Sequence, residues 1–382
     1  MKTTLDIIER LEKGLFNPES IGLPTDFLLT KLTEAKGCGC KVERSVLLEL
    51  LKDFNTEEKD ECEVGIGLDS CVIPLRHKGL FLVTTTDFFY PLVDDPYIQG
   101  RITCANVLSD LYAAGVTETD NMLMLLGVYK DFLPNERDIV VKEFMKGFKD
   151  CADLADTKIR GGQTVKCPWL LLGGVATSVC TKEEMLDVTR ANEGNVLVLT
   201  KPLGGQIAVN AFEWLKINKQ RVEDLKIEDV DRKIVEAYNQ VCEQMCRLNR
   251  NAAILAKKYG AFASTDVTGF GILGHADNLV KSQKAKNLKF VLNNLPTLNH
   301  VQEISKNMPG NNGFRLFTGT SAETSGGLLL AMEEGKAKDF IAELKEMDGF
   351  PAWIIGKVEK QTDSSDNYAI IPNDCNFFIG EM

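Results

Sequence analysis

The sequence predicts a two-domain protein of the α/β (α+β) class. Its 382 residues exceed the length at which a single hydrophobic core usually stops growing, so two domains are expected. Segments with strand character alternate with segments with helix character, and the polar stretch Thr181–Asn195 separates two such sets. We therefore expect an N-terminal segment over residues 1–64, domains over residues 65–180 and 195–360, and a C-terminal strand or tail over residues 361–382.

The individual elements follow from hydrophobic periodicity. The N-terminal segment is predicted to carry a helix around Leu5–Leu11, the glycine-rich run Gly37–Lys41, and a helix from Ser45 to about Phe54. In the first domain, strands are predicted at Gly79–Thr86, Met122–Val128 and Leu170–Cys180, and helices at Gly100–Ala114 and Asn135–Ala155. In the second, strands are predicted at Val196–Thr200, Phe262–Thr265, Lys289–Leu292, Gly326–Met332, Ala352–Val358 and Ala369–Pro372, and helices at Ala208–Leu215, Asp229–Tyr259 and Ala337–Met347.

Composition and charge exclude several classes of function. The chain is 44% hydrophobic and 26% charged, which is typical of a soluble globular protein. No window approaches 18 consecutive apolar residues and no secretory signal is recognisable, so we expect a cytoplasmic protein without a membrane span. A net charge of −11 without a compact basic stripe disfavours nucleic acid. A bound nucleotide is compatible with it, because local cations can outweigh net charge.

The cysteine and histidine content disfavours a disulfide framework and a zinc site. Eleven cysteines are spread over the chain without a CxxC pair, and the three histidines are His77, His275 and His300. A cysteine-based metal-binding protein is therefore a weak alternative.

Four aspartates occupy positions where a fold would otherwise favour apolar or neutral residues. Asp69 lies in VGIGLDSCVI, Asp87 ends GLFLVTTTD, and Asp266 ends AFASTD ahead of a glycine-rich turn that opens a helix. Asp110 shares one predicted helix face with Asn106 and Thr103. Carboxylates beside glycine turns are what a site for Mg²⁺ and phosphate needs. For any one of these aspartates taken alone, a cap of a helix or turn is the more common explanation.

Three glycine-containing runs are candidates for ligand contact. The run Gly161–Thr164 (GGQT), placed between a helix and a strand, is either a phosphate-binding nest or an ordinary Gly-Gly turn. The run Gly269–Gly274 fits G-x-G-x-x-G, but the next strand ends in asparagines instead of an acid, so a dinucleotide site is not supported. In GCGCK, Lys41 would favour the thiolate of Cys38 or Cys40, although a structural pair of small buried residues fits as well.

Taken in order, several long strings resemble the signature segments of selenophosphate synthetase, in particular of its eukaryotic branch. They are AKGCGCKV, GIGLDSCVIPL, TTTDFFYPLVDDPYIQGRITCANVLSDLYAAGV, GGQT, TDVTGFGILGH and ETSGGLLL, and the similarity runs from about Leu29 to Val358. The last two strings are shared with the wider superfamily of aminoimidazole ribonucleotide synthetase-like enzymes, whereas GCGCK is specific to this member.

The resemblance implies a two-domain aminoimidazole ribonucleotide synthetase-like fold with a flexible glycine-rich N-terminal segment. It implies a reaction in which ATP, selenide and water give selenophosphate, AMP and phosphate, with Mg²⁺ bound, in a homodimer whose strands join across the interface. Selenium-delivery and selenocysteine-synthesis proteins would be its partners. By position, Cys38 and Lys41 resemble the catalytic residues, and Asp69, Asp110 and Asp266 the metal ligands. The implied ATP contacts are Lys41, Gly67, Leu68, Asp69, Asp87, Asp110, Gly161, Gly162, Gln163 and Thr164.

Two other functions stay open from the sequence. A catalytically silent, nucleotide-binding paralogue with a regulatory role is one, although the presence of Cys38 favours synthesis. Another member of the superfamily, such as a purine-pathway ligase or a thiamine-phosphate kinase, is the second, and GCGCK argues against it.

Overall fold

The protein is described by a computed structural model that covers residues 4–33, 35–42, 44–51, 69–308, 313–362 and 366–380. Within these residues the chain folds into alternating helices and strands, as expected for the α/β (α+β) class. The strands form two large mixed sheets. Helices α1 (Leu5–Glu12) and α2 (Arg44–Leu50) precede the first sheet. No described helix is both long enough and apolar enough to cross a membrane.

The first sheet has the strand order β1-β2-β5-β3-β4, and all neighbours are antiparallel except β3 and β4. Two helices of this half pack against each other and contact the sheet. The elements are β1 (Cys71–Pro74), β2 (Phe81–Phe89), α3 (Pro96–Ala113), β3 (Asn121–Tyr129), α4 (Pro134–Leu154), β4 (Ile159–Cys167) and β5 (Leu171–Cys180).

The second sheet has the order β12-β8-β11-β6-β10-β7, and a two-stranded sheet pairs β13 with β9. The strands are β6 (Val196–Leu199), β7 (Ala263–Asp266), β8 (Leu288–Leu292), β9 (Asn294–Thr297), β10 (Leu328–Met332), β11 (Trp353–Lys360), β12 (Tyr368–Ile370) and β13 (Asn376–Ile379). The helices are α5 (Gly205–Ile217), α6 (Lys219–Glu223), α7 (Val230–Cys246), α8 (Arg250–Lys258), α9 (Gly271–Lys281), α10 (Val301–Asn307) and α11 (Glu334–Asp348).

Helix α3 lies at the centre of the molecule. All its residues are buried except Asp110, so it lacks the polar face of a surface helix. Asp95 caps its N-terminus by accepting hydrogen bonds from the backbone N–H groups of Tyr97 and Ile98. Beyond the first sheet, α3 also contacts α7, α8 and β7 of the second half. The two halves therefore share one continuous interior, with α3 as the element between them.

The described part of the N-terminal segment packs on the same helix. Arg10 forms an ion pair with Asp95 at 2.7 Å, and the buried guanidinium of Arg101 pairs with Asp6 of α1. Ile7 is fully buried in the core. These contacts hold the start of the chain against α3.

The structure corrects two predicted elements. The predicted helix Asp229–Tyr259 is two helices, because the chain leaves helical geometry at Arg247 before α8 begins. The run Gly161–Thr164 lies inside β4 and not between a helix and a strand. β4 pairs in parallel with β3, and this tertiary partner stabilises an extended conformation that its glycines would not favour locally.

Glu323 connects the turn that precedes β10 to the start of α5. Its carboxylate accepts hydrogen bonds from the backbone N–H groups of Gly204 and Gly205, at 2.6 and 2.9 Å. Burial raises the pKa of this carboxyl to about 7, against the opposing effect of the two N–H groups. The N-terminus of α5 is thus capped by a carboxyl group whose ionisation is disfavoured by burial.

We expect Gly147→Ala to destabilise the protein by several kcal/mol, by overpacking the contact between α3 and α4. A Cβ at Gly147 would come within 2.0 Å of the Tyr97 carbonyl oxygen, and helix α4 cannot move away without opening the core. Gly335→Ala in the exposed first turn of α11 is the matched control, since a Cβ there meets nothing closer than 4.0 Å; it should be neutral or stabilising by up to about 1 kcal/mol. Urea unfolding measures the stability of both variants. Equal unfolding midpoints for Gly147→Ala and Gly335→Ala would contradict the proposed overpacking between α3 and α4.

Glu323→Gln should change the pH dependence of stability. A carboxyl whose pKa is higher in the folded than in the unfolded state stabilises the fold fully below its unfolded pKa, and this contribution is lost as pH rises through the folded pKa. The free energy of unfolding of the wild type, relative to that of Glu323→Gln, should therefore fall by about 3 kcal/mol between pH 4 and pH 8. Denaturation curves at several pH values test this, and a pH-independent difference would refute it.

Candidate functional site

The structure brings the four predicted aspartates together between the two halves. Asp69 lies two residues before β1, Asp87 is in β2, Asp110 is near the end of α3, and Asp266 ends β7. Threonine hydroxyls hold two of the carboxylates across these elements. Thr265 Oγ1 donates to Asp69 Oδ1 at 2.9 Å, and Thr85 Oγ1 donates to Asp110 Oδ2. Residues almost 200 positions apart in the chain thus share one carboxylate cluster.

Mutual repulsion and burial perturb these acids strongly. Burial, followed by the charge of Asp266, raises the pKa of Asp69 well above its ordinary value. Burial and the charges of the other three aspartates raise the pKa of Asp110 well above its ordinary value. Burial raises the pKa of Asp266 to about 6, where the charge of Asp87 adds to the effect and the Ser109 hydroxyl opposes it. Perturbed carboxyls in one cluster are typical of functional sites.

The donor set of this carboxylate cluster fits a hard divalent cation. Asp266 Oδ2 is buried and has no hydrogen-bond partner among the described residues, so it is available as a ligand. Asp69, Asp266 and His275 each offer one ligand atom, and these atoms lie within 4.8 Å of one another. The sequence did not indicate His275 as a ligand; its Nε2 lies 3.2 Å from Thr268 Oγ1. The carboxylate oxygens are the ligand type that Mg²⁺ prefers.

Lys41 places a positive charge at the edge of the carboxylate cluster. Its ammonium nitrogen lies 3.8 Å from Asp87 Oδ1. Burial lowers the pKa of Lys41, but Asp87 and the neighbouring acids outweigh this and raise it, so the group stays protonated. Gly269 makes this approach possible, because a Cβ there would lie 2.5 Å from the Cys38 carbonyl oxygen and 3.0 Å from Lys41 Cδ.

Cys38 lies beside the cluster with its side chain buried. Its backbone N–H donates to Thr324 Oγ1 at 3.1 Å, and its Sγ lies 3.8 Å from Asn106 Oδ1. Burial, then the charge of Asp87, raises the pKa of Cys38 to about 12, although Lys41 lowers it. In this conformation the group is therefore a thiol, and the expected stabilisation of a thiolate by Lys41 is outweighed. Cys40 is exposed on the opposite side of the turn.

A turn of the second half, Glu323–Ser325, supplies contacts that sequence reasoning did not assign. Ser325 N–H donates to Asn106 Oδ1 at 2.7 Å, while Asn106 Nδ2 donates to Asp87. Ser325 has a φ of 48°, and its carbonyl accepts from the buried ammonium of Lys201 at 2.8 Å. The string ETSGG marks this turn in the sequence, but its contacts depend on tertiary structure.

Within one chain, the residues Gly161–Thr164 that were predicted to contact ATP lie away from the four aspartates. Asp87 of β2 pairs with Gly174 of β5, Gly174 pairs with Met124 of β3, and Met124 pairs with Gly162 of β4. Three strand spacings, about 14 Å, therefore separate Gly162 from Asp87. Gly161, Gln163 and Thr164 lie along the same edge strand. Gly67 and Leu68 lie outside the described residues.

Comparison with known proteins identifies the family. The family described as AIR synthase related protein, N-terminal domain, matches residues 67–180, and the corresponding C-terminal domain matches residues 192–367. A "Probable selenide, water dikinase" of Caenorhabditis elegans is 60% identical over 96% of this chain and 97% of its own length. "Selenide, water dikinase 3" of Danio rerio is 47% identical over 90% of this chain and 85% of its own length.

Solved structures show the same fold at low sequence identity. The thiamine monophosphate kinase of Aquifex aeolicus is 17% identical, has a TM-score of 0.60, and matches 88% of this chain and 98% of its own. The identity of the curated relatives over nearly the whole chain shows that this protein belongs to the selenide, water dikinase family of AIR synthase related proteins.

Proposed function

We propose that the protein uses ATP to convert selenide and water into selenophosphate, AMP and phosphate, and thereby supplies activated selenium for selenocysteine synthesis in the cytoplasm. The observation that carries this proposal is the convergence of Cys38, Lys41 and four aspartates at one site, in a chain that is 60% identical to a probable selenide, water dikinase. Phosphoryl transfer depends mainly on positioning and charge stabilisation, which such a site provides without a histidine base.

Asp69, Asp110 and Asp266 would hold Mg²⁺, which would neutralise the polyphosphate of ATP when bound. The residues of this chain then have separate tasks. Lys41 places its ammonium beside Asp87, where it would contact a phosphate oxygen. Asn106 orients Asp87 by donating a hydrogen bond to it. Cys38 lies buried beside the cluster, where its thiol would receive or hold selenium near the γ-phosphate.

Gly161–Thr164 are proposed to serve the ATP site of a second copy in a homodimer. β4 is an edge strand among the described residues, and every residue from Arg160 to Lys166 is exposed. An exposed edge with a full set of backbone hydrogen-bonding groups is suited to pairing with another strand. A partner strand there would bring these glycines close to nucleotide bound by the other protomer. Selenium-delivery and selenocysteine-synthesis proteins are proposed as further partners.

The proposed reaction is tested by ³¹P NMR of the purified protein with ATP, Mg²⁺ and selenide under anaerobic, reducing conditions. Selenophosphate and AMP should form together and only when selenide is present. Binding of ATP without selenide-dependent AMP would instead indicate a catalytically silent paralogue, and release of ADP with another acceptor would indicate a different member of the superfamily.

Cys38→Ala should reduce selenide-dependent AMP formation by at least about 100-fold, while the affinity for Mg-ATP changes little. We expect this because the Cys38 side chain lies beside the carboxylate cluster without being one of its charges. Cys375→Ala, at a half-buried thiol near the C-terminus, is the control and should retain activity. Coupled AMP assays and nucleotide titration measure the two effects; full activity of Cys38→Ala would remove the proposed role.

Asp69→Asn should weaken Mg²⁺-dependent nucleotide binding by at least about tenfold, since one anionic ligand is lost. Asp131→Asn, at an exposed acid after β3, is the matched control. Calorimetric titration with a non-hydrolysable ATP analogue, with and without Mg²⁺, measures the effect independently of turnover. Unchanged Mg²⁺ dependence would exclude Asp69 from the ligand set.

A further inference from the structure

A second compartment lies on the other side of the glycine-rich turn. A cavity of about 650 Å³ opens between this turn and helix α5, and the described residues that line it do not include any of the four aspartates. Its walls carry apolar side chains such as Leu92, Val209 and Trp214, and amide side chains such as Gln206 and Asn210. We refer to this cavity as the vestibule.

The turn Cys38–Cys40 separates the vestibule from the carboxylate cluster. Cys38 faces Asn106 on the cluster side, and its carbonyl packs against Gly269. Gly39 and Cys40 face the vestibule, where a Cβ at Gly39 would lie 3.3 Å from Gln206 Nε2. Thr324 also lines the vestibule, and its hydroxyl accepts the Cys38 N–H. The vestibule therefore extends to the backbone of Cys38.

The two sides of the turn have opposite electrostatic character. The cluster side carries four carboxylates against Lys41, and would also receive the polyphosphate of ATP. The described lining of the vestibule carries three cations, Lys31, Lys36 and Arg221, against the single acid Glu213.

Two of the vestibule cations are available to an incoming anion. Lys36 is neutralised by Glu213 at 2.7 Å. Lys31 and Arg221 are exposed and form no ion pair among the described residues, and the Arg221 guanidinium stacks 3.8 Å from the Trp214 ring. Their charges are therefore not cancelled by a neighbouring carboxylate.

We propose that hydroselenide, which is anionic at neutral pH, approaches the glycine-rich turn through the vestibule and is concentrated there by Lys31 and Arg221. The proposal rests on the proposed function and adds the route of the second substrate. Once Mg-ATP occupies the cluster side, its triphosphate repels a second anion from that side, whereas Lys31 and Arg221 attract the anion to the vestibule side. ATP and selenide then reach the turn from opposite sides, so that bound nucleotide does not block the smaller substrate.

Charge reversal in the vestibule tests the route. Arg221→Glu and Lys31→Glu should each raise the KM for selenide by about three- to tenfold at low ionic strength, and the effect should shrink as salt is added. The KM for ATP should stay within about twofold, because neither residue contacts the cluster. Arg221→Lys should leave the KM for selenide close to the wild-type value, since it keeps the positive charge. Lys219→Glu, an exposed reversal on the same short helix outside the vestibule lining, is the matched control.

A second readout does not require turnover. Cys40 is the exposed thiol of the vestibule, so an anionic thiosulfonate reagent should modify it faster than a cationic reagent of similar size. Peptide mass spectrometry would follow Cys40 separately from the other cysteines. Arg221→Glu should reverse or abolish this preference, whereas Lys219→Glu should leave it unchanged.

The outcomes separate this proposal from the proposed function. Absence of selenide-dependent AMP in the wild type would overturn the proposed function, while the reagent preference would still report the charge of the vestibule. Normal AMP formation with an unchanged selenide KM in both reversal variants would overturn the proposed route. An equal rise in the KM for ATP and in the KM for selenide would also overturn it, since that result indicates an effect on the whole active site and not on the route of selenide.

Discussion

The placement of four carboxylates in one poorly solvated cluster is the constraint on which the rest of the structure depends. Burial raises the pKa of each carboxyl, and the like charges of the neighbouring carboxylates raise it further, as Asp110 shows most clearly. The fold balances this cost with Lys41, with the hydroxyls of Thr85 and Thr265, and with the amide of Asn106. A bound cation would complete the balance, which makes metal affinity a consequence of how the cluster is built.

Helix α3 makes this arrangement possible, because it is buried on all sides and contacts both halves of the molecule. Its N-cap residue Asp95 and Arg101 in its second turn anchor the N-terminal segment, and its last turns present Asn106 and Asp110 to the site. Because α3 is surrounded by protein, an exposed polar face would not fit its position. Asp110, which belongs to the site, is its one residue that is not buried. Folding of the core and assembly of the site are therefore coupled through one element.

The glycine-rich turn is held from both halves of the chain. Thr324 accepts from Cys38, Ser325 donates to Asn106, and Glu323 caps the start of α5 beside the vestibule. Three consecutive residues thus connect the carboxylate cluster, the Cys38 backbone and the wall of the second compartment.

Much of the fold class and part of the site were predictable from local sequence. Strand β2 alternates more and less buried residues and helix α4 has one apolar face, and the predicted positions of these elements, of β5 and of α3 agree with the structure to within a few residues. The four aspartates were recognisable only as a group, because several carboxylates beside glycine turns are what a site for Mg²⁺ and phosphate needs. The predicted roles of the individual site residues remain proposals.

Local sequence could not show which distant groups meet. β4 is a strand because β3 pairs with it, and His275, Thr324 and Ser325 reach the site only through the packing of the second half on α3. The sequence by itself determined the class of fold, the acids available and the resemblance to a family. Tertiary structure decided that Cys38 is a buried thiol, that Gly161–Thr164 lie away from the acids, and that the turn has an anionic side and a cationic side. The reason is physical: pKa values and electrostatic fields depend on distances between residues far apart in the chain, and only folding determines those distances.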